Sequence, residues 1–137
     1  MKTNFSLSFF FFAFLLIVGC GFGYRANSPH YRQEEKPITM EAFNKRVSNK
    51  DKAVLVFFHA DWCMICRKME PSINEIEKEL GGKLDVFRID TERDREIADT
   101  FEVNSLPLLL FYKNGQKQWT HLGMADKNTL LTKIGGL

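Results

Sequence analysis

Two cysteines, Cys63 and Cys66, stand with two residues between them in the run Ala60-Asp61-Trp62-Cys63-Met64-Ile65-Cys66-Arg67-Lys68. The apolar stretch 53–58 precedes them and a charged, helix-forming stretch follows. A strand therefore delivers two thiols to the start of a helix. Sulfurs at this spacing can close a short disulfide ring. Helix N–H groups and the macrodipole favour an anion at the first sulfur, which makes Cys63 the expected nucleophile. Cys66 is expected to be more shielded and placed to attack a mixed disulfide formed by Cys63. The competing chemistry is metal binding, because cysteine pairs at this spacing are half of many zinc sites. Zinc takes about four ligands, and the rest of the chain offers only Cys20 and three isolated histidines. The strand-to-helix context favours redox chemistry and no metal.

The elements that position the thiols follow from periodicity. Thr39 can cap a helix running to about residue 49, with Met40, Phe43 and Val47 on one face. The stretch 53–58 is too uniformly apolar for a one-sided strand and suits a central strand buried on both faces. A helix over 63–80 buries Met69, Ile73, Ile76 and Leu80, carries Pro71, which should kink it, and ends at Gly81-Gly82. A second inner strand spans 84–89, and a short helix over 94–101 turns Ile97, Ala98 and Phe101 inward. A third strand spans 108–112. Asn114-Gly115 signals a tight hairpin, so 117–122 returns antiparallel. Asp126 can cap a last helix with Leu130, Leu131 and Ile134 inward. This alternation implies an α/β protein with a central mixed β-sheet flanked by helices.

Trp62-Cys63-x-x-Cys66 after an apolar strand resembles the active site of thioredoxins. The resemblance runs from about Thr39 to Ile134 and includes Pro71, Leu106-Pro107 before a strand, Asn114-Gly115 and Gly123 after the last strand. It implies the thioredoxin fold, whose first strand is missing here or very short near Ile38. It implies that Trp62 lies over the disulfide and that Pro107 is the cis-proline facing it, exposing the Leu106 backbone to an incoming peptide; otherwise Pro107 is a trans residue starting an edge strand. Met64, Ile65, Leu106 and Met124 would then surround the cysteines as a substrate-docking patch, unless Leu106 or Met124 is simply core. Leu108 stands where the family usually has Thr. The buried Asp that thioredoxins carry six residues before the first cysteine is replaced by Phe57, and its Lys partner by Val86. Another base, or water, must then serve Cys66. Glu70, about two helical turns after Cys63, reads either as that base or as a solvated residue. The Ala-Asp-Trp-Cys run with a Glu at this place also resembles the C-terminal domain of bacterial envelope transmembrane thiol reductases. His59 shares the parity of Phe57; it could pair with Asp61 or Asp90, raise thiolate character when protonated, or be structural.

The 137 residues, 45% hydrophobic and 26% charged, allow one domain plus appendages. A net charge of +2 makes no case for nucleic acid. Met1-Lys2 and the apolar run to about Val18 form a secretory signal or, failing that, an uncleaved anchor. Leu16-Ile17-Val18-Gly19-Cys20 resembles the lipobox of bacterial lipoproteins, which implies acylation of Cys20 and membrane attachment; an ordinary signal peptide would leave Cys20 a spare thiol. Residues 1–19 are then a lipoprotein-type signal peptide, 20–37 a lipid-anchored flexible linker holding His30, and 38–137 the thioredoxin-like domain. His121 is expected on the surface of the last strand.

These features imply an exported, envelope-located thiol–disulfide oxidoreductase that reduces protein disulfides through Cys63 and Cys66, needs no bound cofactor, and takes electrons from a partner such as a membrane thiol reductase. Met64-Ile65 holds neither the histidine nor the proline seen between the cysteines of related proteins, and a missing histidine favours the reducing direction. The rivals are a disulfide oxidase or isomerase, and a non-enzymatic client-binding module in which Cys63–Cys66 is a structural staple.

Overall fold

The computed structural model describes residues 36–135 and 137. The signal segment, Cys20, His30 and most of the linker lie outside the described residues.

The chain alternates as expected: α1 (Met40–Val47), β1 (Ala53–His59), α2 (Met64–Leu80), β2 (Leu84–Asp90), α3 (Arg95–Thr100), β3 (Leu108–Lys113), β4 (Gln116–Leu122) and α4 (Lys127–Ile134). The sheet order is β2-β1-β3-β4. β1 and β2 are parallel, joined by the α2 crossover. β3 runs antiparallel to β1, and β4 antiparallel to β3. Among the described residues no strand precedes α1, which agrees with the weak signal near Ile38.

Local signals set the ends. Thr39 accepts the Ala42 N–H at 3.2 Å and Asp126 the Thr129 N–H at 2.8 Å, so both expected caps form. Asn114 and Gly115 both have positive φ, as a two-residue hairpin turn requires. Pro71 sits inside an unbroken α2, and Gly81, at φ +50°, stops that helix.

β1 is buried from Ala53 to Phe58 because helices cover both sheet faces. Its odd-numbered residues feed one layer. Leu55 and Phe57 pack there with Met69, Ile73 and Ile76 of α2 and Leu130 and Ile134 of α4. Its even-numbered residues feed the other. Val54, Val56 and Phe58 meet Phe43 and Val47 of α1 and Ile97 of α3. Each fully buried aliphatic or aromatic side chain contributes about 1.5–3 kcal/mol. The two layers together therefore hold the end of β1 rigidly, and that end carries the cysteines.

Candidate redox site

β1 ends at His59, and a turn of four residues leads to α2. The Cys63 N–H donates to the Ala60 carbonyl at 3.1 Å, which closes that turn. Cys63 is then the N-cap of α2. Its backbone is extended, and its Sγ accepts the Cys66 N–H at 3.1 Å. Cys63 and Cys66 are joined as a disulfide with a Cα–Cα distance of 5.2 Å. The two cysteines are exposed by only 5% and 3%. Burial thus distinguishes them little. The asymmetry lies in the cap: of the two sulfurs, Cys63 Sγ is the one that receives a helix N–H, where the helix dipole favours negative charge.

The disulfide belongs to the layer under α2 and α4, and its buried neighbours in that layer are apolar. Phe57 is fully buried and Val86 nearly so. The places of the family's proton-handling pair are filled with hydrocarbon. Charged groups stand only at the margin. Glu70 accepts from Arg88 Nε at 2.7 Å, and Arg88 also donates to Asn74 and Glu77. Glu70 is therefore committed to an ion pair. The guanidinium resists burial, but its hydrogen bonds to Glu77 and Glu70 outweigh that effect and raise its proton affinity. Sequence reasoning missed Arg88. Glu70, Asn74 and Glu77 recur at i, i+4 and i+7 on α2, a polar stripe that could have indicated a cation opposite.

The His59 ring stacks on Phe57, with centroids 5.4 Å apart. Burial pushes the imidazole below its usual range, although Asp90, Glu70 and Asp61 pull the other way. A cationic His59 is thereby disfavoured, which weakens its expected part in stabilising a thiolate. Its packing on Phe57 fits a structural part.

Around the disulfide the surface is apolar. Trp62 is 66% exposed, which excludes a plain core role for it. Met64, Ile65 and Met124 are also exposed, while Leu106 is half-buried against both layers. The Leu106–Pro107 peptide is cis. Leu122, which the sequence did not single out, is also exposed, on the face of the sheet that Leu108 shares with the α1 and α3 layer. It pairs with Leu108 at the end of the sheet where β1 delivers the cysteines. The Gly123 N–H donates to the Pro107 carbonyl at 2.9 Å, and the Ala125 N–H to Met69 Sδ at 3.3 Å. A His121 ring nitrogen lies 3.3 Å from the Met124 carbonyl. These contacts tie the loop after β4 to the cis-proline on one side and to α2 on the other. His121 is half-buried, less of a surface residue than expected.

An exchangeable cysteine pair at a helix N-terminus, beside a cis-proline and an apolar rim, has counterparts among known proteins. The Thioredoxin family profile matches residues 34–135. A thioredoxin of Rickettsia felis is 37% identical over 97 residues, spanning 71% of this chain and 92% of that one. A chloroplastic M-type thioredoxin of Spinacia oleracea is 31% identical over 102 residues, spanning 74% of this chain and 56% of that one. Among solved structures, a thioredoxin of Malassezia sympodialis aligns with a TM-score of 0.57 and 32% identity, covering 67% of this chain and 79% of that one. With its fold, its cysteine pair and its sequence all in agreement, this chain is a member of the thioredoxin family of disulfide oxidoreductases.

Proposed function

We propose that this thioredoxin-family protein reduces protein disulfides in the bacterial cell envelope, attached to a membrane through a lipid on Cys20. The observation that carries the redox reading is the capped Cys63 sulfur at the mouth of an apolar rim. The envelope location is supported by the apolar N-terminal run ending in Val18-Gly19-Cys20. The reducing direction is supported by Met64-Ile65 between the cysteines, where no histidine stands to stabilise the thiolate further.

In the dithiol state the Cys63 thiolate attacks one sulfur of a substrate disulfide. The S–S bond breaks, and the departing sulfur takes a proton. The Cys66 thiol then loses its proton and attacks Cys63 Sγ. The mixed disulfide breaks, the second substrate thiol leaves, and the Cys63–Cys66 disulfide forms. Two electrons have passed to the substrate. A partner dithiol, such as that of a membrane thiol reductase, returns them by the reverse exchange. Trp62, Met64, Ile65, Leu106 and Met124 supply the apolar surface against which an unfolded or extended client packs.

The deciding experiment is the reduction potential of the Cys63/Cys66 pair, from equilibration of the full chain in thiol buffers. A value near about −270 mV supports the reductase, whereas one near about −120 mV makes the protein a disulfide donor. Cys66→Ser accompanies it. This variant should trap clients through Cys63, and a complete lack of trapped mixed disulfides would count against catalysis by this pair.

A further inference from the structure

The end of the sheet opposite the disulfide carries a different chemistry. An open cleft of about 200 Å³ is lined there by Lys50, Lys52, Lys83 and Lys113, with Asp51 the one acidic side chain in its wall. The lysines are not a local run; three parts of the chain bring them together. Lys50 and Lys52 sit on the loop into β1, which is shaped by Asn49: its Oδ1 accepts the Asp51 N–H at 2.7 Å and the Lys52 N–H at 3.2 Å. Lys83 precedes β2, whose first residue pairs with Ala53. Lys113 ends β3 at the hairpin, and that hairpin is seated against the end of α1: a Cβ on Gly115 would come 3.2 Å from the Ser48 carbonyl oxygen.

Several cations elsewhere in the described residues meet carboxylates. Arg46 pairs with Asp85, Arg88 with Glu70 and Glu77, Arg93 with Asp94, and Lys127 with Glu79. In the cleft, Lys83 donates to the Leu137 carbonyl oxygen at 3.0 Å, and Lys50, Lys52 and Lys113 have no carboxylate partner among the described residues. A concave wall in which four ammonium groups outnumber the Asp51 carboxylate focuses a positive field and concentrates anions. Several ammonium point charges around one small space match a multiply charged tetrahedral anion better than a single carboxylate.

We propose that this cleft binds the phosphate group of a small molecule, at a site separate from the redox centre and independent of the direction of its reaction. A concave site of this size takes a discrete group rather than a flat surface. The bound group is a free phosphate ester or the headgroup of a phospholipid, which share this chemistry.

The test is an amide chemical-shift titration of the full chain with inorganic phosphate, at ionic strength held constant with sodium chloride. A parallel titration uses a short-chain phosphatidylglycerol below its micelle concentration. The proposal expects saturable shifts at residues 50–53, 83 and 113–115 in at least one titration. It expects the paired substitution Lys50→Gln with Lys113→Gln to weaken that binding about tenfold or more. Lys52→Gln alone should weaken it less, and disulfide exchange should be unchanged in every variant. Saturation by phosphate identifies a free ester as the ligand, and saturation by the lipid alone identifies a headgroup. Shifts that never saturate in either titration, or that saturate equally in the paired variant, overturn the proposal.

Discussion

The two layers on either side of the sheet are built from alternate residues of the same strand, yet they finish differently. The layer under α1 and α3 is sealed. At its edge Asp94 is 1% exposed, and its carboxylate accepts the Ile38 N–H at 2.9 Å, the Asp90 N–H at 3.2 Å and the Arg93 guanidinium at 2.7 Å. Every donor there is met, and the chain entering the domain is pinned to the loop before α3. The layer under α2 and α4 has no such seal at the disulfide. Its buried groups near Cys63 and Cys66 are apolar, and its rim leaves Trp62, Met64, Ile65 and Met124 exposed. A closed polar network rigidifies one side, and an unsealed apolar edge leaves the other able to receive a partner.

The sharpest test of this contrast is Phe57→Ala. Phe57 fills the space where the family carries a charge pair, so its loss should cost about 3–5 kcal/mol in denaturant unfolding. A loss well under that range would mean the site tolerates a cavity and is not closely packed hydrocarbon. On the sealed side, Asp94→Ala should cost about 1–3 kcal/mol by leaving the Ile38 and Asp90 amides without their acceptor. Hydrogen exchange at the Ile38 amide should quicken in that variant, with thiol exchange kinetics intact. If exchange at Ile38 stays slow, the carboxylate is not what holds the entering chain.

Weaker effects separate docking from chemistry. Met64→Ser combined with Met124→Ser should raise KM for a protein disulfide about five- to tenfold, roughly 1–1.4 kcal/mol of lost contact. Reaction of Cys63 with a small disulfide should not change, and an equal loss with both substrates would move these residues from docking to the chemistry itself. The smallest effect concerns His59. Its folded proton affinity is below the ordinary value of 6.5, so as pH falls the unfolded chain takes up the proton first. The contribution is fully present above about pH 6.5 and is lost as pH falls toward the lowered value. His59→Gln should therefore reduce the drop in melting temperature between about pH 7 and pH 5. An unaltered drop would place that titration in another group.

Much of the frame was legible because it depends on neighbours in sequence. Thr39 and Asp126 cap their own helices, Asn114-Gly115 turns its own hairpin, and Cys63 stands one step before α2. The weakness of the first strand was also readable, since the residues up to about Pro37 show no periodicity, and no strand precedes α1 among the described residues. The margin of the site was less legible. Glu70 was weighed as a base or a solvated residue, whereas Arg88, 18 residues away, takes it as an ion-pair partner.

By itself, then, the sequence determined the local chemistry: a thiol pair at a helix start, a central strand buried on both faces, and the caps and turns around them. These follow from dihedral preference, periodicity and short-range hydrogen bonding, which act within a few residues. Tertiary structure alone decided the partners: Asp94 with Ile38 across 56 positions, Arg88 with α2, and the lysines of three chain segments around one cleft. Strand register made those choices. Pairing Ala53 with Leu84 and Val54 with Tyr112 sets which distant side chains share an end of the sheet, and a shift of one residue would turn each to the opposite face.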